Sequence, residues 1–260
     1  MIDCHAHLAA REFDGDRDAV RRRAMAAGVR VVLVVGEDAE DNRRVETVVR
    51  AASPEGARLL PCFGLHPDRF ADDREPPDRD AVDGVTAMIR ANASRLAAIG
   101  EVGLDRWVVK DPARRAAQTR LLEELAALAQ ELDLALNVHS RSAGHYAIDL
   151  LAAAGSRRVL MHAFDGKASH AVRGAEAGFV FSIPPSVVRS PQKQKLVRAL
   201  PLEALALESD SPVLGPVAEE RNEPANLVLA RDVIARAHGT TPERVAEVTT
   251  QNAKRIFKGL

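Results

Sequence analysis

The chain has 260 residues, of which 46% are hydrophobic and 28% are charged, and its formal net charge is −1. This composition is typical of a globular domain, and a net charge so close to zero excludes a protein-wide field that would hold the molecule on nucleic acid or on an anionic membrane. Any binding of phosphate must therefore depend on a local group of residues.

Strands and helices are predicted to alternate along the whole chain. Two helix starts are clear, at Asp111-Pro112 and at Thr241-Pro242, where a capping residue precedes a first-turn proline. Short apolar segments rich in β-branched residues predict eight strands, at 1–6, 29–35, 59–64, 96–100, 134–138, 158–161, 179–183 and 204–208,.

This alternation fits two α/β architectures. A doubly wound sheet normally has a glycine-rich, phosphate-binding loop after its first strand, but this chain has His5 and His7 at that place. Eight strands that begin with a pair of histidines instead favour a (β/α)8 barrel of the TIM type, whose working residues lie at the carboxyl ends of the strands. We therefore predict a single α/β domain over residues 1–260.

Potential metal ligands follow most of the predicted strands. Side chains alternate along a strand, so His5 and His7 are predicted to share one face, and Cys4 and Ala6 the other. Because unpaired imidazolium and carboxylate groups are costly to bury, many of them at one rim predict a metal site. The later donors are His66, Glu101, Asp105, His139, His162, Glu208 and Asp210.

These donors belong to motifs that span essentially the whole chain. The motifs are Asp3-x-His5-x-His7, Gly64-x-His66-Pro67, Gly100-Glu101-x-Gly103-Leu104-Asp105, His139-Ser140-Arg141, His162-x-Phe164, Glu208-Ser209-Asp210-Ser211-Pro212 and Thr250-Gln251-Asn252-Ala253. In this order they resemble the TatD family of metal-dependent hydrolases. Ser182-Ile183-Pro184-Pro185-Ser186 and Arg221-Asn222-Glu223-Pro224 are most similar to a TatD-domain subgroup also found in animals.

The resemblance implies a barrel with two divalent metals and deoxyribonuclease or exonuclease activity. By motif, His5, His7 and Asp210 would hold one metal, His139 and His162 the other, and Glu101 would bridge them. Two such cations neutralise a phosphodiester and lower the pKa of a shared water, which gives a bridging hydroxide near neutral pH.

Further roles are expected for residues beside these ligands. Asp210 would also accept the proton of the water. His66 is either a donor or acid near the leaving oxygen, which the resemblance favours, or a rim histidine held by Pro67. Asp3, predicted to lie below His5 on the same face, and Glu208 are expected to be outer carboxylates that orient imidazoles or pair with a buried arginine.

Three residues are candidates for substrate contacts. Arg141 could bind a phosphate through two hydrogen bonds, or it could pair with Glu101 or Asp105. Arg106 and Trp107 follow Asp105, and Trp107 either stacks a terminal base or anchors its loop. Because aromatic residues make up only 3% of the chain, we expect a pocket for one or two nucleotides, not a long stacking platform.

The donor set limits the identity of the metal. Imidazoles combined with carboxylates suit zinc, manganese, cobalt or nickel better than magnesium or calcium, which prefer all-oxygen sites. We expect zinc in the protein as isolated. The resemblance implies in addition that magnesium or manganese supports nuclease turnover.

The leading hypothesis is a divalent-metal-dependent phosphodiesterase, specifically a 3′–5′ exodeoxyribonuclease acting on single-stranded DNA or short oligonucleotides. The alternative is a metal-dependent hydrolase of an ester or amide, such as an aminoacyl-tRNA deacylase, because an activated hydroxide also attacks carbonyls. A third hypothesis, a barrel that has lost catalysis and binds a partner, is opposed by the complete ligand set.

The sequence also gives an expectation for the cellular setting. Two cysteines, Cys4 and Cys62, are too few for a disulfide framework and indicate a reducing compartment,. The N-terminus has no basic region followed by an apolar run, and no segment reaches the roughly 18 apolar residues of a membrane span. We expect a cytoplasmic protein without membrane association, and no obligate protein partner is evident.

Overall fold

Strands and helices alternate through residues 1–260 in the computed structural model of the protein. The strands are β1 (Ile2–Ala6), β2 (Val31–Val35), β3 (Arg58–Phe63), β4 (Ala98–Gly103), β5 (Ala135–His139), β6 (Val159–Met161), β7 (Val180–Ile183) and β8 (Leu205–Leu207). The α-helices are α1 (Arg17–Ala26), α2 (Ala39–Ala51), α3 (Arg79–Asn92), α4 (Pro112–Glu131), α5 (Gly144–Ala153), α6 (Ala168–Glu176), α7 (Pro191–Ala199), α8 (Leu227–Ala237) and α9 (Pro242–Ile256).

The eight strands form one parallel sheet in sequence order. The residues that follow β8 close the gap between β8 and β1 through two backbone hydrogen bonds. The amide of Asp210 donates to the carbonyl oxygen of His5 at 2.9 Å, and the amide of His7 donates to the carbonyl oxygen of Ser211 at 2.8 Å. A closed parallel sheet with helical crossovers is a (β/α)8 barrel. The predicted fold class is confirmed.

Both predicted helix starts are confirmed. α4 begins at Pro112, and the side chain of Asp111 accepts a hydrogen bond from the amide of Arg114 at 2.9 Å. α9 begins at Pro242, and the hydroxyl of Thr241 accepts from the amide of Arg244 at 3.2 Å. Each cap satisfies one of the amides that the first turn of a helix leaves without a partner.

The apolar core has two parts, which the sheet separates. In β2, Val32 and Val34 belong to the larger cluster, together with helix residues such as Ile89 and Leu125, whereas Leu33 belongs to the smaller cluster. The smaller cluster joins side chains of all eight strands to the last turn of α9. It fills the barrel interior with apolar groups, and the polar residues gather at the carboxyl ends of the strands.

Two strands depart from strict alternation at residues predicted to bind metal. In β1, Asp3 is in register with Val32 and Ala6 with Val34, so Cys4 and His5 together oppose the single Leu33. In β4, the register also shifts between Ile99 and Val102, around Glu101. Bulges of this kind redirect side chains and are common next to active sites.

The bulge in β1 corrects two predictions. Cys4 packs in the interior cluster and Ala6 in the outer one, so they do not share a face. Asp3 is in register with Val32, a residue of the outer cluster, and therefore does not lie below His5 on the same face. The extra residue in the strand shifts the alternation, which a simple two-residue period cannot anticipate.

β4 runs three residues further than its predicted end at residue 100 and includes Glu101. The backbone passes very close to its neighbours there: a Cβ added at Gly100 would lie 2.5 Å from the Cβ of Asn137, and one added at Gly64 would lie 2.3 Å from the carbonyl oxygen of Glu101. Only glycine fits at such approaches. The absence of a side chain at Gly64 and Gly100 therefore leaves the space that the backbone around Glu101 occupies.

No helix has the combination of length and apolar character that crossing a membrane requires. Cys4 and Cys62 are both buried free thiols. The cytoplasmic location stays a prediction.

Candidate metal centre

Seven side chains converge at the carboxyl end of the barrel. A cavity of about 470 Å³ opens at this rim, between the loops that follow β1, β3, β5, β6 and β8. The structure brings together all six predicted metal ligands and His66: six of these seven line the cavity, and His5 lies fully buried directly behind them.

The first group of donors is spaced closely enough to hold one metal ion. Nε2 of His5 and Nε2 of His7 are 3.3 Å apart, and they lie 3.6 and 3.5 Å from Oδ1 of Asp210. Both nitrogens are also 3.4 Å from Oε2 of Glu101. Donor atoms separated by such distances are spaced as the ligands of one small cation would be, since a zinc–nitrogen bond is about 2.1 Å long. The residues present therefore fit a divalent metal.

The second group surrounds the other oxygen of the same carboxylate. Oε1 of Glu101 lies 2.8 Å from Nδ1 of His139, 3.1 Å from Nε2 of His66 and 3.3 Å from Nε2 of His162. Glu101 thus presents one oxygen to each group, as a carboxylate that bridges two metals would do.

Each ligand histidine is held from behind through its other ring nitrogen. His5 bonds through Nδ1 to Oδ1 of Asn137 at 2.8 Å. The other pairs are His139 Nε2 with Asp105 Oδ2 at 3.1 Å, His162 Nδ1 with Glu208 Oε2 at 3.3 Å, and His7 Nδ1 with Glu37 Oε1 at 3.5 Å. An outer acceptor of this kind keeps the hydrogen on the outer nitrogen and leaves a lone pair on the inner one for a metal.

His66 is held through Nδ1 by Asp68. This nitrogen lies 2.9 Å from Oδ1 of Asp68 and 3.1 Å from the amide nitrogen of the same residue. Burial lowers the pKa of His66, but Glu101 and Asp68 raise it to about 10, and a protonated imidazole carries a hydrogen on Nε2. His66 therefore faces the cavity as a hydrogen-bond donor, although its distance to Glu101 equals that of a ligand.

The site keeps its carboxylates ionised. Burial opposes ionisation of Glu101, but the imidazoles of His66, His5 and His162 outweigh it and hold the pKa of Glu101 well below its usual value. The pKa of Asp210 is lowered in the same way, with burial opposed by His162 and by a hydrogen bond to His7. In turn, burial lowers the pKa of His7, but Asp210 and Glu101 raise it to about 9. Ionised carboxylates that share one cluster with imidazoles are suited to hold a cation.

A comparison with known families identifies the barrel. Residues 2–258 match the sequence profile of the family described as TatD related DNase. The chain belongs to this family. The predicted resemblance is confirmed, and this chain is a member of a family of metal-dependent hydrolases.

Relatives of the TatD chain align over nearly their whole lengths. The Homo sapiens protein named Deoxyribonuclease TATDN3 is 42% identical over 265 residues, which cover 100% of this chain and 95% of the relative. The metal-dependent hydrolase YabD of Bacillus subtilis is 30% identical, with 99% of each chain covered. The crystal structure of YjjV, a TatD homologue from Escherichia coli K12, superposes with a TM-score of 0.89 at 25% identity and covers 100% of this chain and 98% of that one.

The predicted substrate contacts have different surroundings in the TatD chain. Arg141 lines the cavity and forms no ion pair; its Cζ lies 5.1 Å from the ring centroid of Trp107. The alternative that Arg141 pairs with Glu101 or Asp105 is therefore wrong. Trp107 is 58% exposed, so it does not anchor its loop.

Arg106 is not part of the cavity wall. Its guanidinium stacks on the ring of Tyr146, 3.1 Å from the centroid, and Arg106 is not among the residues that line the cavity. The loop that carries Arg106 is instead fixed by Asp105, whose Oδ1 accepts from the amides of Trp107 and Val108 at 2.6 and 2.9 Å.

Asp3 contacts no imidazole and no arginine. Its Oδ1 accepts from the backbone amides of Ser209 at 2.8 Å and His5 at 3.3 Å, so it joins the backbones of two ligand segments across the barrel seam. Burial raises the pKa of Asp3 to about 8. The structure thus gives Asp3 a position that the sequence interpretation did not anticipate.

Asn137 and Lys193 are site residues that the sequence interpretation missed or left without a role. Asn137 precedes His139 by two residues in β5, and this spacing could have indicated a side chain on the same face. Lys193 lies in the first turn of α7. No local signal distinguishes it, because its place in the cavity depends on how α7 packs against the loop after β6.

Proposed function

We propose that this TatD-family protein is a divalent-metal-dependent phosphodiester hydrolase, specifically a 3′–5′ exodeoxyribonuclease for single-stranded DNA or short oligonucleotides. The observation that carries the proposal is the position of Glu101, whose two carboxylate oxygens face two separate groups of metal donors. A pair of cations is the arrangement used to neutralise and cleave phosphodiesters. The name of the human relative, a deoxyribonuclease, supports DNA as the substrate.

The proposed cofactors are two divalent ions, zinc in the protein as isolated and magnesium or manganese during turnover. His5, His7 and Asp210 would hold one ion, His139 and His162 the other, and Glu101 both. When bound, the two cations supply charge neutralisation at the phosphate and a water of lowered pKa.

The residues of the chain have separate tasks in this proposal. Asp210 is ionised at neutral pH, since neighbouring imidazoles lower its pKa, and it accepts the proton of the attacking water. His66 faces the cavity through an N–H, and its pKa, which burial lowers, is raised to about 10 by Glu101 and Asp68. It therefore donates a hydrogen bond or a proton to the leaving oxygen.

The cavity sets the size of the substrate segment. Its volume of about 470 Å³ is within the range of small-ligand pockets, roughly 300 to 1,000 Å³. Arg141 on the cavity wall would bind phosphate, and the exposed ring of Trp107 beside it would stack one base,. We propose that one or two terminal nucleotides enter the cavity, and that residues 1–260 act as one domain in the cytoplasm.

The test uses metal-loaded protein and a single-stranded oligonucleotide labelled at its 5′ end. We expect a ladder that shortens from the 3′ end with release of mononucleotides. Glu101→Gln and Asp210→Asn should each reduce the rate by more than about 100-fold, because loss of even an outer partner of a ligand typically costs 10- to 100-fold. Glu40→Gln, at an exposed position of α2, is the matched control.

Two outcomes would contradict the proposal. Activity that persists after metal has been rigorously removed would exclude the metal mechanism. Faster turnover of an aminoacyl ester than of the oligonucleotide, measured side by side, would favour an ester or amide hydrolase instead.

A further inference from the structure

Lys193 is a buried ammonium group in the wall of the cavity. It is 8% exposed and lies in the first turn of α7, where the hydroxyl of Ser190 accepts its backbone amide at 3.3 Å. Its Nζ donates one hydrogen bond, to the carbonyl oxygen of Ala163 at 3.0 Å, and has no ion-pair partner. Because an ammonium has three N–H donors, two of them have no acceptor within the protein.

Arg21, the other buried cation of the chain, has several partners for its guanidinium group. Arg21 is 2% exposed, and its guanidinium pairs with Asp18 at 2.7 Å and donates to Ala57 and Ser53. Burial of a charge without such partners is costly. The pKa of Lys193 is lowered by burial, with Glu208, Asp210 and Asp165 opposing. Lys193, whose Nζ has a single carbonyl partner and no carboxylate partner, is less completely paired than Arg21.

Two further donors without partners line the same cavity. The hydroxyl of Ser140 is buried, with a residue exposure of 3%, and has no hydrogen-bond partner. Arg141 also lines the cavity, where it is exposed and forms no ion pair. The nearby carboxylate of Asp165 accepts the amide of Ser142 at 2.9 and 3.1 Å and is not paired with Lys193. We call Lys193, Ser140 and Arg141, three donor side chains that line the cavity without a carboxylate partner, the Lys193 subsite.

We infer that the Lys193 subsite, formed by Lys193, Ser140 and Arg141, binds a phosphate group of the substrate beside the metal donors. A phosphate offers several strong acceptor oxygens and a negative charge, which is what the unfilled donors require. The identification of this phosphate as part of a nucleotide rests on the proposed function; the subsite itself needs only a tetrahedral oxyanion. Lys193 is therefore a phosphate-binding residue that favours anionic substrates.

The test compares Lys193→Met with Lys195→Met in the metal-loaded protein. Methionine retains the buried apolar stem but removes the charge, and Lys195 is an exposed lysine on the same helix. The probe is inorganic phosphate, titrated by calorimetry. We expect Lys193→Met to weaken phosphate binding by about tenfold or more, the size of one charge-assisted hydrogen bond, while Lys195→Met and wild type agree and Lys193→Arg retains most of the affinity.

A second measurement follows oligonucleotide cleavage at several salt concentrations. Lys193→Met should raise KM, and the slope of log(kcat/KM) against log[salt] should become shallower by about one, as expected for one lost phosphate contact. A lower melting temperature and a lower kcat, with phosphate affinity and salt slope unchanged, would show that Lys193 only holds Ala163, and would overturn the inference.

The phosphate titration also separates this inference from the proposed function. If wild type does not cleave DNA, the proposed function fails, but the dependence of phosphate affinity on Lys193 is still measured. If wild type cleaves DNA and Lys193→Met binds phosphate normally, the inference alone fails.

Discussion

At the scale of single residues, Asn137 determines which nitrogen of His5 is free. The Nδ2 of Asn137 donates to the carbonyl oxygen of Cys4 at 2.9 Å, so its Oδ1 must face Nδ1 of His5, 2.8 Å away. An acceptor at that place requires the hydrogen of the imidazole on Nδ1. The lone pair of Nε2 is then directed at Asp210 and Glu101.

We therefore predict that Asn137→Ala weakens metal binding without removing a ligand. Loss of an outer partner typically costs 10- to 100-fold in metal affinity or activity, and the expected effect lies in that range. Metal affinity can be measured by competition with a chelating dye. Asn92→Ala, at the end of α3 and far from the site, should have no effect, and an unchanged affinity in Asn137→Ala would contradict the assigned orientation of His5.

At the scale of elements, the segment Arg221–Pro224 fastens the loop that carries Asp210. Asn222 donates through Nδ2 to the carbonyl oxygens of Ser209 at 2.6 Å and Val213 at 2.9 Å, one on each side of Asp210. Arg221 pairs with Asp16 at 2.7 Å, and Glu223 pairs with Arg23 at 2.6 Å. This motif, similar to the animal subgroup, connects α1 to the metal site.

Asn222→Ala should both destabilise the protein and weaken metal binding through Asp210. The substitution leaves two carbonyl oxygens without their donor, and a buried polar group left unsatisfied costs about 1–3 kcal/mol. Denaturant unfolding measures the loss of stability, and a metal titration of the folded protein measures the effect on Asp210. Retention of wild-type metal affinity in a destabilised variant would show that the loop holds Asp210 without Asn222.

The ion pairs of α1 predict a pH dependence. Hydrogen bonds and charge from Arg221 and Arg23 lower the pKa of Asp16 to about 2. Because the pKa is lower in the folded state than the usual unfolded value near 4, the pairs stabilise the fold above about pH 4, and this contribution is lost as the pH falls towards 2. Asp16 is partly exposed, so solvent reduces the effect.

Asp16→Asn should consequently lower the melting temperature slightly at pH 7 and leave it equal to wild type near pH 2. Melting curves at both pH values measure the difference, and high salt at pH 7 should reduce it. A destabilisation of equal size at both pH values would mean that the charge of Asp16 contributes nothing.

At the scale of the whole molecule, the proposed metals would join strands that are distant in the chain. The ligands come from β1, β4 and β5 and from the segments that directly follow β1, β6 and β8, so bound ions would cross-link most of the barrel rim. A ligand that binds the folded state and not the unfolded one stabilises the fold by mass action. The metal centre should therefore be part of the stability of the protein.

Removal of metal with a chelator should lower the melting temperature, and added zinc should restore it in a concentration-dependent way. Differential scanning calorimetry of wild type and Glu101→Gln measures both effects. The variant should melt at a temperature that depends less on chelator and zinc than that of wild type; an equally strong response in the variant would mean that Glu101 does not hold the stabilising ion.

Much of this architecture follows from the sequence because it depends on short stretches. The period of apolar residues and the caps at Asp111 and Thr241 are local, so strand count, helix starts and fold class could be predicted. The types of donor could also be predicted from the sequence, because histidines and carboxylates follow successive predicted strands and together indicate a metal site. The same residues belong to the motifs that resemble the TatD family.

Tertiary structure decided what each of these donors faces. The bulges at His5 and Glu101 depend on register with neighbouring strands, the free nitrogen of His5 depends on a residue 132 positions away, and the burial of Lys193 depends on a carbonyl 30 positions away. Hydrogen-bond direction and desolvation arise only where separate segments meet. A sequence therefore specifies which groups are available, while packing determines their protonation, orientation and task.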